Sequence, residues 1–130
     1  MNKKTCSIWL WALIIFMEWL PCSAVCIFAD SPSSTTRVYF SYFDLTPFGY
    51  ANFGPLLTAL LSVVAIFILA FYLLNGKGLN LLKQLSLIAF TTSLLPLLMF
   101  GPKGFSILSV LISFCLFCSW YWCRIMEDNL

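Results

Sequence analysis

The sequence contains no histidine, and only seven basic and five acidic residues among its 130. Without histidine, imidazole acid–base catalysis and imidazole metal ligation are excluded. A net charge of +2, with no basic run longer than two residues, excludes the electrostatic footprint of a nucleic-acid binder. Charged residues make up 9% of the chain, against about 25% in soluble domains. That leaves too little polar surface to cover a water-soluble body of this size. Disorder is excluded for the opposite reason, since 62% of the residues are hydrophobic. With a mean hydropathy of +0.96, the composition points to lipid as the main solvent.

What is present is a set of long apolar runs. Four stretches, over 7–29, 53–74, 81–100 and 105–123, are each about long enough to cross a bilayer as a helix. The second and fourth carry no charge, and the third carries Lys83 near its start. In lipid a backbone must satisfy its own hydrogen bonds, so these runs are expected to be helices. The alternation of a barrel strand is missing. The expected fold is therefore an all-α integral membrane bundle of four transmembrane helices in one domain, 1–130, with an external segment over 30–52. The connections agree: Asp30-Ser31-Pro32-Ser33 is turn-forming, Asn75-Gly76-Lys77-Gly78 stops a helix, and Gly101-Pro102-Lys103-Gly104 folds the third and fourth spans into a hairpin.

Orientation follows from lysine and arginine near the helix ends. One side collects Lys3, Lys4, Lys77, Lys83 and Arg124, the other Arg37 and Lys103. This places both termini in the cytoplasm of a multi-pass cell-membrane protein. Trp120, Tyr121 and Trp122, just before Arg124, read as an interfacial anchor. An alternative exists for the first stretch. Met1-Asn2-Lys3-Lys4, an apolar run and Pro21-Cys22-Ser23-Ala24 also fit a secretory signal. Cleavage would leave three spans. Glu18 inside that run argues for retention.

Three features carry the functional expectations. Glu18 is the one acid well inside a span, about 15 Å deep by helix rise. An intramembrane acid is costly, and the functional reading is a proton or cation site facing the bundle. The bland reading is a polar residue bonded to a Ser or Thr of another helix. The second feature is the segment from Val38 to Phe53, with seven aromatic residues. Tyr39 with Tyr42, and Phe40 with Phe43, share the spacing of one face of a short helix that Pro47 then stops. The expected structure is an interfacial helix. Tyr39, Tyr42, Phe43 and Tyr50 are its candidate ligand or partner surface. The third is small residues four apart, Thr58 with Ser62, Ala89 with Ser93 and Ser109 with Ser113, which let helices approach closely. Pro96, after Thr92, should kink the third span. The six cysteines read as small apolar filler; Cys115 and Cys118 are lipid-buried, and Cys22 pairs with Cys26 only if that helix end frays. No catalytic set, phosphate loop or metal cluster is seen, and no cofactor is expected.

The run Tyr39-Phe40-Ser41-Tyr42-Phe43-Asp44-Leu45-Thr46-Pro47-Phe48-Gly49-Tyr50-Ala51-Asn52-Phe53-Gly54-Pro55-Leu56, leading into an apolar helix, resembles small multi-spanning membrane proteins of clostridia-like bacteria. That group has no assigned activity, so the resemblance implies a bacterial membrane location and transfers no functional residue. Chain size and a glutamate in the first span are also similar to the small multidrug resistance transporters, which work as dimers. The segment 30–52 replaces a short loop there, and no family motif surrounds Glu18. The expectation is a non-enzymatic membrane protein: a structural, accessory or partner-binding subunit. Its partners would be the lipid bilayer and a membrane protein or a second copy, with no nucleic acid. The alternative is an oligomeric proton-coupled transporter using Glu18.

Overall fold

The computed structural model describes residues 3–129. Six helices and one β-hairpin follow in the order α1 (Lys3–Trp19), β1 (Ala24–Ser31), β2 (Ser34–Phe40), α2 (Leu45–Gly49), α3 (Gly54–Asn75), α4 (Leu79–Ser93), α5 (Leu95–Phe100), a 3-10 turn (Gly101–Gly104) and α6 (Ile107–Asp128). Three helical units are long and apolar enough to cross a membrane: Gly54–Asn75, Leu79–Gly104 and Ile107–Asp128.

Packing runs α1 against α3, α3 against α4, α4 against α6 and α6 back to α1, which closes a ring of four helices. Their directions alternate. Trp122 Nε1 donates to the Lys3 carbonyl, the Lys4 ammonium lies over the Tyr72 ring, and Lys83 pairs with Glu127. These contacts bring together the start of α1, the end of α3, the start of α4 and the end of α6. Lys3, Lys4, Lys77, Lys83 and Arg124 therefore gather at one end of the bundle. Arg37, which donates to the Phe105 carbonyl, and Lys103 lie at the hairpin end.

The interior combines a few large side chains, Trp11, Ile14, Leu82, Ile112 and Leu116, with many small ones. Thr58, Ala59, Ser62, Ala65, Ser86, Ala89, Ser93, Ser109, Ser113 and Ser119 are all buried. Most of their hydroxyls return to their own helix, as Ser86 does to Leu82, or meet across helix pairs, while Ser62 donates to the Glu18 carboxyl and Ser109 to the Ser23 carbonyl. Ser93 and Ser113 meet at 2.8 Å, Thr58 and Thr92 at 3.1 Å, and Ser86 and Ser119 at 3.3 Å. Large apolar side chains such as Phe67, Leu74, Leu98 and Ile107 point outward. This inside-out distribution suits helices whose outer solvent is hydrocarbon.

Two expectations are corrected. The first stretch is not one helix over 7–29: α1 ends at Trp19 and β1 begins at Ala24. Pro21 cannot donate to the Met17 carbonyl, and its ring would clash there. That carbonyl instead accepts the Leu20 N–H in a tightened last turn. Val25, Ile27 and Phe28 then favour extended backbone, and the strand pairs antiparallel with β2, from Ala24 opposite Phe40 to Ser31 opposite Ser34. Burial fades along β1, from Ala24, Val25 and Cys26 inside to Ala29 and Ser31 outside. The hairpin is thus rooted in the mouth of the helix ring. Cys22 and Cys26 are both free thiols.

The second correction concerns the aromatic segment. Tyr39 and Phe40 lie on β2, so they share no helical face with Tyr42 and Phe43. The short helix comes later, capped by Asp44, whose carboxylate accepts the Thr46 N–H at 2.8 Å. That bond holds the Asp44 carboxyl below the usual carboxylate range. Pro47 does not stop this helix. It sits in the first turn, where a missing N–H costs no intrahelical bond. The helix ends with Asn52 N–H donating to Pro47 O and Ala51 N–H to Phe48 O. This places Ala51 in the left-handed region at φ 63°.

The third stretch kinks where Pro96 lies, dividing α4 from α5 at Leu94. The start of α3 fits against this kink. A Cβ on Gly54 would stand 2.6 Å from Pro96 Cδ and 2.9 Å from the Thr92 carbonyl oxygen, so only glycine allows this approach.

Candidate functional site: the buried Glu18 centre

Glu18 lies in the last turn of α1, facing the small-residue stripe of α3, and is fully buried. Ser62 donates to its Oε1 at 2.7 Å. Its main-chain carbonyl, near the end of the helix, accepts the Tyr42 N–H at 2.9 Å and the Ser23 hydroxyl at 3.2 Å. Glu18 therefore anchors the β2–α2 connection through its backbone and α3 through its side chain. Its second carboxyl oxygen, Oε2, has no hydrogen-bond partner among the described residues.

Tyr42 completes the centre. It is fully buried, and its hydroxyl also lacks a hydrogen-bond partner among the described residues. Ser109 and Glu18 are the polar side chains within electrostatic reach of this phenol. The candidate surface of Tyr39, Tyr42, Phe43 and Tyr50 is accordingly divided. Tyr42 is no surface residue, because its backbone bond to α1 draws it inside. Tyr39 and Tyr50 are 48% and 62% exposed. Tyr50 packs edge-to-face on Phe28 of β1, with ring centroids 4.8 Å apart. Phe43 lines an apolar groove of about 570 Å³ with Ile15, Trp19, Val63, Ile66 and Phe67, between α1 and α3.

Around the centre, non-helical backbone is satisfied by side chains. Ser106 donates to the Ser23 carbonyl at 3.0 Å, and Ser109 donates to the same oxygen. Ser106 also caps α6, accepting the Ser109 N–H at 3.0 Å. Asn52 Nδ2 donates to Val25 O at 3.0 Å. These residues carry no sequence signal of this role, because their targets are backbone atoms far along the chain. Outside them, Cys22, Arg37, Tyr39 and Ser106 border an open cavity of about 460 Å³. The Arg37 guanidinium stacks 5.8 Å from the centroid of Tyr39.

Among the described residues, no three Cys, Asp or Glu side chains gather to hold a metal. The arrangement can instead hold a proton on a buried carboxyl and fix the hairpin to the helices. No family model, curated protein or solved structure matches the chain.

Proposed function

We propose that this chain is a multi-pass protein of a bacterial cell membrane that works as a non-catalytic accessory or partner-binding subunit. The observation that carries this reading is the hairpin with the α2 turn beside it: they are tied down by the Tyr42 N–H on the Glu18 carbonyl and the Asn52 side chain on the Val25 carbonyl, yet they present Tyr39 and Tyr50 outward beside a ring of apolar helices. An ordered aromatic surface has lost its conformational freedom in advance, which favours docking to a partner. A kinship with the small multi-spanning proteins of clostridia-like bacteria belongs to the same proposal. The gathering of five cations at one end of the bundle supports cytoplasmic termini and an external hairpin.

Photocrosslinking in intact cells tests the partner role. A photoreactive residue at Tyr39 or Tyr50 is expected to give one discrete protein adduct, while the same residue at Leu74, on the lipid-facing surface, labels lipid. Lipid adducts alone at Tyr39 and Tyr50 would refute the reading.

A second reading, proton-coupled transport by an oligomer, is favoured by the unpartnered oxygen of Glu18. On that reading Glu18→Gln abolishes proton-dependent efflux without lowering expression, and unchanged efflux rejects it.

A further inference from the structure

The hydroxyl groups at the hairpin end form a series that begins at the surface and ends on Glu18. Ser106 borders the open cavity beside Arg37 and Cys22. Its hydroxyl stands 2.9 Å from that of Ser109. Ser109 and the Glu18 carboxyl both lie within electrostatic reach of the Tyr42 phenol, though neither is hydrogen-bonded to it. The last two members are fully buried, and each keeps one oxygen without a partner: Tyr42 Oη and Glu18 Oε2. A buried polar oxygen left unpaired costs about 1–3 kcal/mol. A buried carboxylate without a counter-charge costs more, and is relieved when the group becomes neutral. Among the described residues Glu18 forms no ion pair; the pair present is Lys83 with Glu127, at the opposite end of the bundle. Tyr42, from the β2–α2 connection, is the titratable group that faces it. α3 contributes Ser62 and α6 contributes Ser109, neither of which titrates.

We propose that Glu18 is a proton-binding site, loaded and emptied from the hairpin-side cavity through Ser106, Ser109 and Tyr42. In loading, a hydronium ion in the cavity gives up one proton and becomes water. Each hydroxyl in turn accepts one proton on its oxygen and releases its own to the next, with water admitted between Ser109 and Tyr42 and between Tyr42 and Glu18. The final O–H bond forms on Oε2, and the carboxylate becomes a carboxylic acid. Nothing is oxidised or reduced, and release runs the same steps backwards.

The path is one-sided. Beyond Ser113 the next hydroxyl of α6 in the core is Ser119, about 9 Å further along the helix, with the buried Leu116 between them. Along α6, therefore, the hydroxyl series links the site to the hairpin side. This inference deepens the second reading at its Glu18 site, but its test reads protonation and not transport.

The sequence makes the test direct, because Glu18 and Glu127 are its two glutamates. The full chain, labelled with ¹³C at the glutamate carboxyl carbon and placed in lipid nanodiscs, gives two carboxyl signals. Glu127→Gln leaves the Glu18 signal alone without touching the site. At neutral pH that signal is expected at the carboxylic acid position. A carboxylate signal titrating in the ordinary range overturns the proposal. A signal that moves with sodium at fixed pH also overturns it, in favour of an alkali cation. For the route, Tyr42→Phe and Ser106→Ala are each expected to slow proton–deuteron exchange at Glu18 by about ten-fold, and Ser106→Thr to restore it. Should Tyr42→Phe not fold, the Ser106 pair decides the route alone. Exchange unchanged in Ser106→Ala refutes it.

Discussion

Gly54→Ala should damage this protein far more than one methyl group suggests. The added carbon would sit 2.6 Å from Pro96 Cδ, 2.9 Å from Pro96 Cγ and 2.9 Å from the Thr92 carbonyl oxygen. Comfortable carbon–carbon contact begins at about 3.5 Å, so α3 and the α4–α5 kink must part by about 1 Å. None of the three atoms can turn aside, since two belong to a proline ring and one to backbone. Forced overpacking of this kind costs about 1–3 kcal/mol. Separation would also stretch the 3.1 Å contact between the Thr58 and Thr92 hydroxyls, adding about 0.6 kcal/mol, the average for an interhelical bond in lipid. The expected total is about 1.6–3.6 kcal/mol. Reversible unfolding in bicelles would measure it, with Gly49→Ala as the control, because nothing lies within 4 Å of a Cβ there. Removing the ring with Pro96→Ala should relieve part of the loss, so the double variant falls short of the sum of the singles. Equal stability of Gly54→Ala and Gly49→Ala would refute the close-approach argument.

Ala51→Gly should stabilise the chain by up to about 1 kcal/mol in the same assay, because it releases a left-handed alanine, and Ala51→Val should do the reverse. The Asp44 carboxyl is held below its unfolded value by the Thr46 N–H. Its contribution is therefore fully present above the usual carboxylate range and lost as pH falls through the lower folded value. Unfolding midpoints on the acid side should show this loss, and Asp44→Asn, which keeps a capping oxygen, should remove that part of the pH dependence. Reporter fusions should place Ser34 and Lys103 on one side of the membrane and Gly78 and the C-terminus on the other; Ser34 and Gly78 on the same side would overturn the proposed threading.

The three helical units from Gly54 onward are legible because each is an apolar run long enough to cross a membrane, the first two being closed by Gly76 and by Gly101-Pro102, and in hydrocarbon such a run has little but a helix to form. The hairpin is not legible in the same way. Ala24–Phe28 continues the apolar character of α1, and a short apolar strand has no period that separates it from more helix. Its signals were indirect: Pro21 and the β-branched Val25, Ile27, Thr35, Thr36 and Val38. Tyr42 was misplaced for a related reason. Aromatic residues in a polar connection suit the interface, and the bond that draws this one inward joins two backbone atoms, which no side-chain pattern encodes. Glu18 could be singled out as an expensive residue, but not its partner, because Ser62 stands 44 residues later on another helix.

The two halves of this legibility have one cause. A helix that stops at Trp19 inside the bundle leaves irregular backbone around Ser23 and Val25, which must find donors where little water reaches. Ser106, Ser109 and Asn52 supply them, each bonded to a carbonyl of that irregular stretch. In so apolar a chain, the Ser106 and Ser109 hydroxyls at the start of α6 therefore mark the place where another segment abandons the helix. Once there, they need only a neighbouring acid to become a path for protons, and the broken end of α1 provides it in Glu18.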